Sequence, residues 1–158
     1  MRITRLEGKD GVALADAILT SDGIWDGIHD DRAPEARNFT FAPMIESKDA
    51  YAMMMNDALG PIGLCLFTPM TSAMCQVHVA VLPKARGKRA ALGFREAAKW
   101  AGRHLPYAVV LGFTHDRKAN IVANAFGMRR AATIPHSFLL GGKYLDQTLW
   151  VYVNREEN

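Results

Sequence analysis

The chain of 158 residues is 49% hydrophobic and 22% charged, with a formal net charge of +3; this suits one domain that buries its own core without staples. Its 13 Gly and 7 Pro follow no period, which excludes collagenous and disordered classes. Cys65 and Cys75 lie in apolar stretches without CxxC spacing, as in a reduced cytoplasmic protein and unlike a secreted disulfide scaffold.

The opening residues, Met-Arg-Ile-Thr-Arg-Leu-Glu-Gly-Lys-Asp, hold no apolar leader core, and no apolar run reaches the roughly 18 residues of a membrane span. Residues 3–6 predict a short strand, and residues 11–20 a helix with Val12, Ala15, Ile18 and Leu19 on one face. Residues 21–43 lose all periodicity, and so long a polar loop in a compact domain is usually functional or mobile. Residues 50–55 and 62–67 predict strands around a turn at 56–61; residues 73–82 are the strongest strand signal, stopped by Pro83. From 89 to 104 the period becomes helical, with Phe94, Ala97, Ala98, Ala101 and Leu105 along one stripe. Residues 107–113 read as a buried strand, 117–126 as a helix stopped by Gly127, and 128–134 and 147–153 as closing strands. This order predicts a single α/β (α+β) domain over residues 1–158. Its sheet is mixed and mostly antiparallel, with six to seven strands, helices on both faces, and a parallel pair where the long helix crosses over.

The isoelectric point near 9.0 implies an anionic partner. The positive residues gather where strand 73–82 ends and Lys84-Ala85-Arg86-Gly87-Lys88-Arg89-Ala90-Ala91 leads straight into a helix. Free N–H groups at a helix N-terminus, with the dipole behind them, form an anion site. Ala90 and Ala91 keep the first turn small enough for a phosphate to approach. The segment has neither the GxxxxGK[ST] nor the GxGxxG spacing. A basic turn capping an ordinary surface helix is the plainer alternative.

The window Arg86 to Ala91 resembles the acyl-CoA-binding motif of the GNAT family of N-acetyltransferases, R/Q-x-x-G-x-G/A. As in that family, a strand ending Val81-Leu82-Pro83 precedes it; Arg89 takes the place of the inner Gly, and Ala91 fits the last position. Asp116-Arg117-Lys118-Ala119 through Phe126-Gly127-Met128 resembles the family's later N-x-x-A helix, with Asp116 for Asn and Met128 for Phe. The family often carries a Tyr on this helix to protonate the departing thiolate, and Ala123 occupies that position. From Cys75 onward, about half the chain also resembles small GNAT-like proteins of tailed bacteriophages. The matching stretches are Val77-His78, Leu82-Pro83, Arg86-Gly87-Lys88 and Ala90, then Ser137-Phe138, Gly141, Asp146-Gln147 and Leu149.

The resemblance implies a GNAT-like fold and acetyl-CoA as acyl donor, passed to an amine of a small molecule or protein by direct transfer in a ternary complex. It assigns the donor to the backbone of Val79, Ala80 and Val81, to the turn Arg86, Gly87, Lys88, Arg89, Ala90 and Ala91, and to Asp116. Homodimers are common in the family. The alternative is a phage virion or head-assembly protein, or another interaction protein, that keeps the fold without catalysis. Nucleic-acid binding is disfavoured, because the charge is confined to one turn without an aromatic platform. The setting implied is bacterial cytoplasm, including that of a phage-infected host.

Acyl transfer needs a base for the ammonium, donors for the oxyanion and an exit for the thiolate. His78, a lone imidazole on the strand leading into the turn, is either the base or proton relay or a structural residue that ties down a neighbouring loop. Ser137 and Tyr144 are candidate hydroxyl acids. His115 beside Asp116 is either a dyad or part of the cap of the helix that starts at Arg117. Trp25, Asp26, His29 and Asp30 are the candidate acceptor residues. They lie in an acidic loop, with Asp22, Asp31 and Glu35 against Arg32 and Arg37, that would attract a cation or simply be solvated. Met44, Met53, Met54, Met55, Met70 and Met74 either line an adaptable pocket or fill the core. His29, His78, His104, His115 and His136 form no HxH or HExxH pair, so no metal is expected.

Overall fold

A computed structural model describes residues 1–154 apart from 22, 34, 36 and 37. The chain runs β1 (Arg2–Arg5), α1 (Gly8–Leu19), α2 (Trp25–Ile28), α3 (Ala42–Ile45), β2 (Tyr51–Asp57), β3 (Gly60–Pro69) and β4 (Met74–Val81). A 3-10 turn at Pro83–Ala85 then leads to α4 (Lys88–His104), β5 (Val109–Thr114), α5 (Arg117–Phe126), β6 (Arg129–Leu140) and β7 (Lys143–Val153). The strands form one 7-stranded sheet in the order β1-β2-β3-β4-β5-β7-β6. Among the described residues, only the β4–β5 pair is parallel. The mixed, mostly antiparallel sheet expected from the sequence is therefore present, with seven strands.

Each face of the sheet has its own core. On one side α4 buries Ala90, Gly93, Phe94, Ala97, Ala98 and Ala101 against Met53, Met55, Ile62, Cys65, Phe67 and Cys75, and α5 adds Ala123 and Phe126. Small residues let α4 lie close: a Cβ on Gly93 would come within 3.3 Å of Ile62. On the other side α1, α2 and α3 bury Ala15, Leu19, Trp25 and Ile45 against Met54, Leu64, Leu66 and Ala80. Strand alternation decides which residues face which core. It puts Met53 and Met55 in one core and Met54 in the other, so these methionines pack the two interiors.

Two expectations from the sequence change. The stretch 21–43, expected as loop, contains α2 and the first two residues of α3, and the two helices are anchored by Trp25 at 8% and Ile45 at 7% exposure. Helices of four residues are too short to show a period. The last two strands, expected at 128–134 and 147–153, are one long hairpin, 129–140 and 143–153. Pro135, His136 and Ser137 interrupt the alternation because they form a bulge between the pairs Ile134–Gln147 and Phe138–Leu145. His136 sits there at φ 52°, and its N–H donates to Asp146 Oδ1 at 3.0 Å. The hairpin turn uses Gly141 and Gly142 at φ 58° and 71°, the positive values such two-residue turns require.

Gly63 fixes the seat of β4. A Cβ there would lie 2.1 Å from the Ala80 carbonyl oxygen, a backbone atom that cannot swing aside. Gly63→Ala is expected to cost about 3 kcal/mol of stability through forced separation of β3 and β4, measured by urea unfolding.

Candidate active site

The site begins where the sheet comes apart. β4 and β5 pair only at Met74–Val109, Cys75–Val110 and Gln76–Leu111, yet β4 continues to Val81 and β5 to Thr114. The Leu82 N–H donates to the Ile62 carbonyl at 3.0 Å. The antiparallel alternation therefore turns the backbone groups of Ala80 toward β3 and those of Val79 and Val81 toward the gap. Of the three backbone units singled out from the sequence, Val79 and Val81 are the ones whose N–H and C=O face the split. An extended thioester chain could pair with them as a strand would.

At the same end of β4 lies the basic turn. Gly87, at φ 87°, is the N-cap of α4, and no side chain caps the helix. The first intrahelical bond in the turn runs from the Ala91 N–H to the Gly87 carbonyl at 3.1 Å, so the amides of Lys88, Arg89 and Ala90 have no partner within the helix. Nothing lies within 4 Å of a Cβ position on Gly87. Open space, free N–H groups and a helix dipole fit a pyrophosphate.

The arginines of this turn divide the work. The Arg89 guanidinium leaves the turn and grips Asp57 on β2, Nε to Oδ2 at 2.9 Å and Nη2 to Oδ1 at 2.7 Å. That bidentate pair holds Asp57 below the usual carboxylate range, and the carboxylate raises Arg89 further. Arg89 can therefore replace the inner glycine of the motif, since its side chain is drawn away from the anion site. Arg86 instead reaches across to donate to the Gly23 carbonyl at 3.0 Å, tying the basic turn to the loop before α2. Lys84 and Lys88 are exposed at the mouth.

Two imidazoles stand beside the split on the face covered by α1–α3. His78 is exposed there, with Nε2 3.2 Å from Thr68 Oγ1. Thr68 Oγ1 also lies 3.5 Å from the Gln76 carbonyl. When its proton goes to Gln76, His78 carries its hydrogen on Nε2 and Nδ1 is free to accept. Desolvation on the sheet surface pushes His78 below its ordinary pKa, so the ring is neutral at pH 7. His115, one residue past β5, is half-buried and stacks on Phe138 with ring centroids 4.3 Å apart. It is not the helix cap: Asp116 is, accepting the Ala119 N–H at 2.7 Å. Its oxygen is thereby engaged at the start of α5. Ala123 is buried, at 6% exposure, in the α4–α5 core.

The other sequence-derived candidates are more dispersed. Trp25 is buried and stacks on His29, whose Nδ1 hydrogen-bonds the Trp25 carbonyl. Asp26 is exposed on α2, and Asp30 Oδ1 accepts the Arg32 N–H at 2.9 Å. Ser137 is exposed in the bulge and donates to the Ile134 carbonyl at 2.9 Å, and Tyr144 is 62% exposed near the hairpin tip. Asp22 and Arg37 lie outside the described residues. Cys75 is pushed up to about 12 by burial, and Cys65 is raised further, so neither thiol is a nucleophile. Among the described residues no three His, Cys, Asp or Glu side chains gather as metal ligands would, and no helix is long and apolar enough to cross a membrane.

A strap that the sequence did not reveal joins the two walls. The Asp31 N–H donates to the Leu139 carbonyl at 2.9 Å. Its carboxylate accepts the N–H groups of Gly141 at 2.8 Å and Gly142 at 2.7 Å. The loop after α2 thus crosses to the tip of the β6–β7 hairpin. Positive φ at both glycines aims their amides at one carboxylate, an anion nest, and only the fold shows what occupies it.

No protein-family model matches the chain, and no curated protein does. Solved structures do. Spermidine N-acetyltransferase from Vibrio cholerae in complex with CoA and spermine has TM-score 0.77 at 14% identity, over 97% of this chain and 95% of that one. The smu.2055 protein from Streptococcus mutans UA159 has TM-score 0.72 at 13% identity, covering 98% and 100% of the respective chains. At such identities the likeness establishes the fold, which is the GNAT-like one expected from the sequence.

The nest makes a pH prediction. Its two N–H groups hold Asp31 below the usual carboxylate range. A folded-state pKa depressed in this way adds stability that is complete above the unfolded value of about 3.9 and lost as pH falls through the lower folded value. Protection of the Gly141 and Gly142 amides, taken relative to intrinsic exchange at each pH, is therefore expected to be high at neutral pH and to fall as pH drops through the lower folded value. In Asp31→Ala that protection should be lost throughout.

Proposed function

We propose that this protein is an acetyl-CoA-dependent N-acetyltransferase that passes the acetyl group directly to a primary amine within a ternary complex. The observation that carries this reading is the meeting, at one end of β4, of open strand edges at Val79 and Val81 with an uncapped helix N-terminus in a basic turn. The CoA and spermine bound by the Vibrio cholerae structural neighbour support both partners. When bound, acetyl-CoA would supply an acyl carbon activated as a thioester.

The chain's own residues supply the rest. The amides of Lys88, Arg89 and Ala90 hold the pyrophosphate, with Arg86 and Lys88 adding charge at the mouth. The outward N–H groups of Val79 and Val81 hold the extended arm and stabilise charge on the carbonyl oxygen. His78, neutral at pH 7, takes the proton from the ammonium so that the nitrogen lone pair is free. As the carbon–nitrogen bond forms the carbon–sulfur bond would break; the nitrogen gives up its second proton, the sulfur leaves carrying one, and the net proton released is the one taken by His78. Ala123 cannot give that proton, and Ser137 has committed its own to Ile134. Of the two candidate hydroxyls, Tyr144 is the one left for that step. Neither buried thiol favours an acyl-enzyme, which supports direct transfer.

Calorimetric titration with acetyl-CoA tests the reading. Wild type is expected to bind, and Gly87→Asp or Arg86→Glu to weaken binding at least about tenfold, because a carboxylate then meets the pyrophosphate. Absence of binding by the wild type would sink the enzyme. Ala123 favours one second reading, an interaction protein that keeps the fold without catalysis. Acetyl-CoA binding with no CoA release across an amine panel would decide for that alternative. With His78 as base, kcat/KM should fall as pH drops through a midpoint below about 6.5. His78→Ala should lose that limb, and an unchanged profile would leave His78 a structural residue.

A further inference from the structure

We propose that the acceptor is a primary amine carried on an apolar or aromatic body, and that this body lies on the half-open floor formed by Leu111 and Phe113 of β5 with Leu149 and Val151 of β7. The inference rests on the acetyltransferase reading and names its substrate class. Register places these residues together. Leu111 pairs with Val151 and Phe113 with Leu149, so all four point to one face, and the pair Gln76–Leu111 makes it the face that carries His78. All four are half-buried, and none belongs to either core. Among the described residues, the core under α1–α3 draws its strand residues from β2, β3 and β4 and none from β5 or β7.

The floor is continuous with the chemistry. Extending the β4–β5 register past Gln76–Leu111 sets Phe113 across the split from His78 and His115 across from Ala80. The Asp31 strap runs from the α2 side to the hairpin tip at the far side of β5, so it bounds the same space. This half-buried apolar face therefore adjoins the end of β4 where the acyl group would lie. A body of roughly six to eight carbons would bury apolar surface there at about 25 cal/mol per Å².

Charge argues against a linear polyamine. The carboxylates that would space its ammonium groups are turned to the backbone: Asp31 to Gly141 and Gly142, Asp30 to Arg32, Asp146 to His136. Arg129, paired with Val151, puts a cation on the same face. Among the described residues of that loop, Asp26 on α2 stands exposed, with Glu35 further along; neither is aligned with a second carboxylate as a row of ammonium groups would need.

The test compares CoA release with 2-phenylethylamine, hexylamine and spermidine at saturating acetyl-CoA, and measures binding of each amine to the CoA-loaded protein by calorimetry. The two apolar amines are expected to exceed spermidine at least about tenfold in kcat/KM. Phe113→Ala and Leu149→Ser should each raise KM for 2-phenylethylamine at least about fivefold with acetyl-CoA affinity unchanged; the retained affinity shows that the variants fold. Spermidine as the equal or better acceptor overturns this inference while the acetyltransferase reading stands. Failure of the wild type to bind acetyl-CoA overturns both. A dimer seen by light scattering that Leu149→Asp dissociates, with acetyl-CoA affinity kept, assigns the floor to a second copy and overturns the inference.

Discussion

The single parallel contact in the sheet is the constraint on which everything else turns. β4 is held along its length by seven residue pairs to β3, and β5 by six pairs to β7. The two strands share only three pairs with each other. Each is therefore rigid on its outer side and free on its inner side, and the sheet opens as a wedge between two well-anchored halves. Buried backbone groups rarely go unpaired. A gap that exposes the N–H groups of Val79 and Val81 is thus a place for a ligand with a polar, extended chain.

The basic turn and the two faces follow from that wedge. The turn has to leave β4 at Pro83, and the helix it starts has to lie on one face, so the anion site sits at the mouth of the split. Packing of α4 and α5 fills that face densely around Phe94 and Phe126. On the other face, among the described residues, the core under α1–α3 draws its strand residues from β2, β3 and β4. The half beyond the wedge has His115 at its edge, His78 facing it from β4 and the Asp31 strap at its far side. Arg86, bonded to Gly23, links the two sides across the split.

Local signals were legible because local physics produces them. Proline ends β4, a positive-φ glycine caps α4, and Asp116 and Gly127 bracket α5; each acts through neighbours within a few residues. The basic turn was readable for the same reason. What the sequence hid is non-local. Arg89 looks like a flaw in the phosphate motif until Asp57, 32 residues away, is seen to hold it. The acidic loop looks like a trap for cations until Asp31 is found in a nest 110 residues downstream. The bulge at Pro135 to Ser137 broke the alternation that reveals a strand, so a long hairpin read as two short strands.

The sequence by itself therefore determined the strands and the three longer helices, their order, the mixed sheet and the basic turn, since periodicity, caps and breakers are written in consecutive residues. It placed His78 and Phe113 on strands, but could not say that the strands separate between them. Only the tertiary structure decided where pairing stops, which carboxylates are engaged and which strands the core under α1–α3 draws on. Those outcomes depend on contacts between residues far apart in the chain, and such contacts form only once both partners have been packed into place.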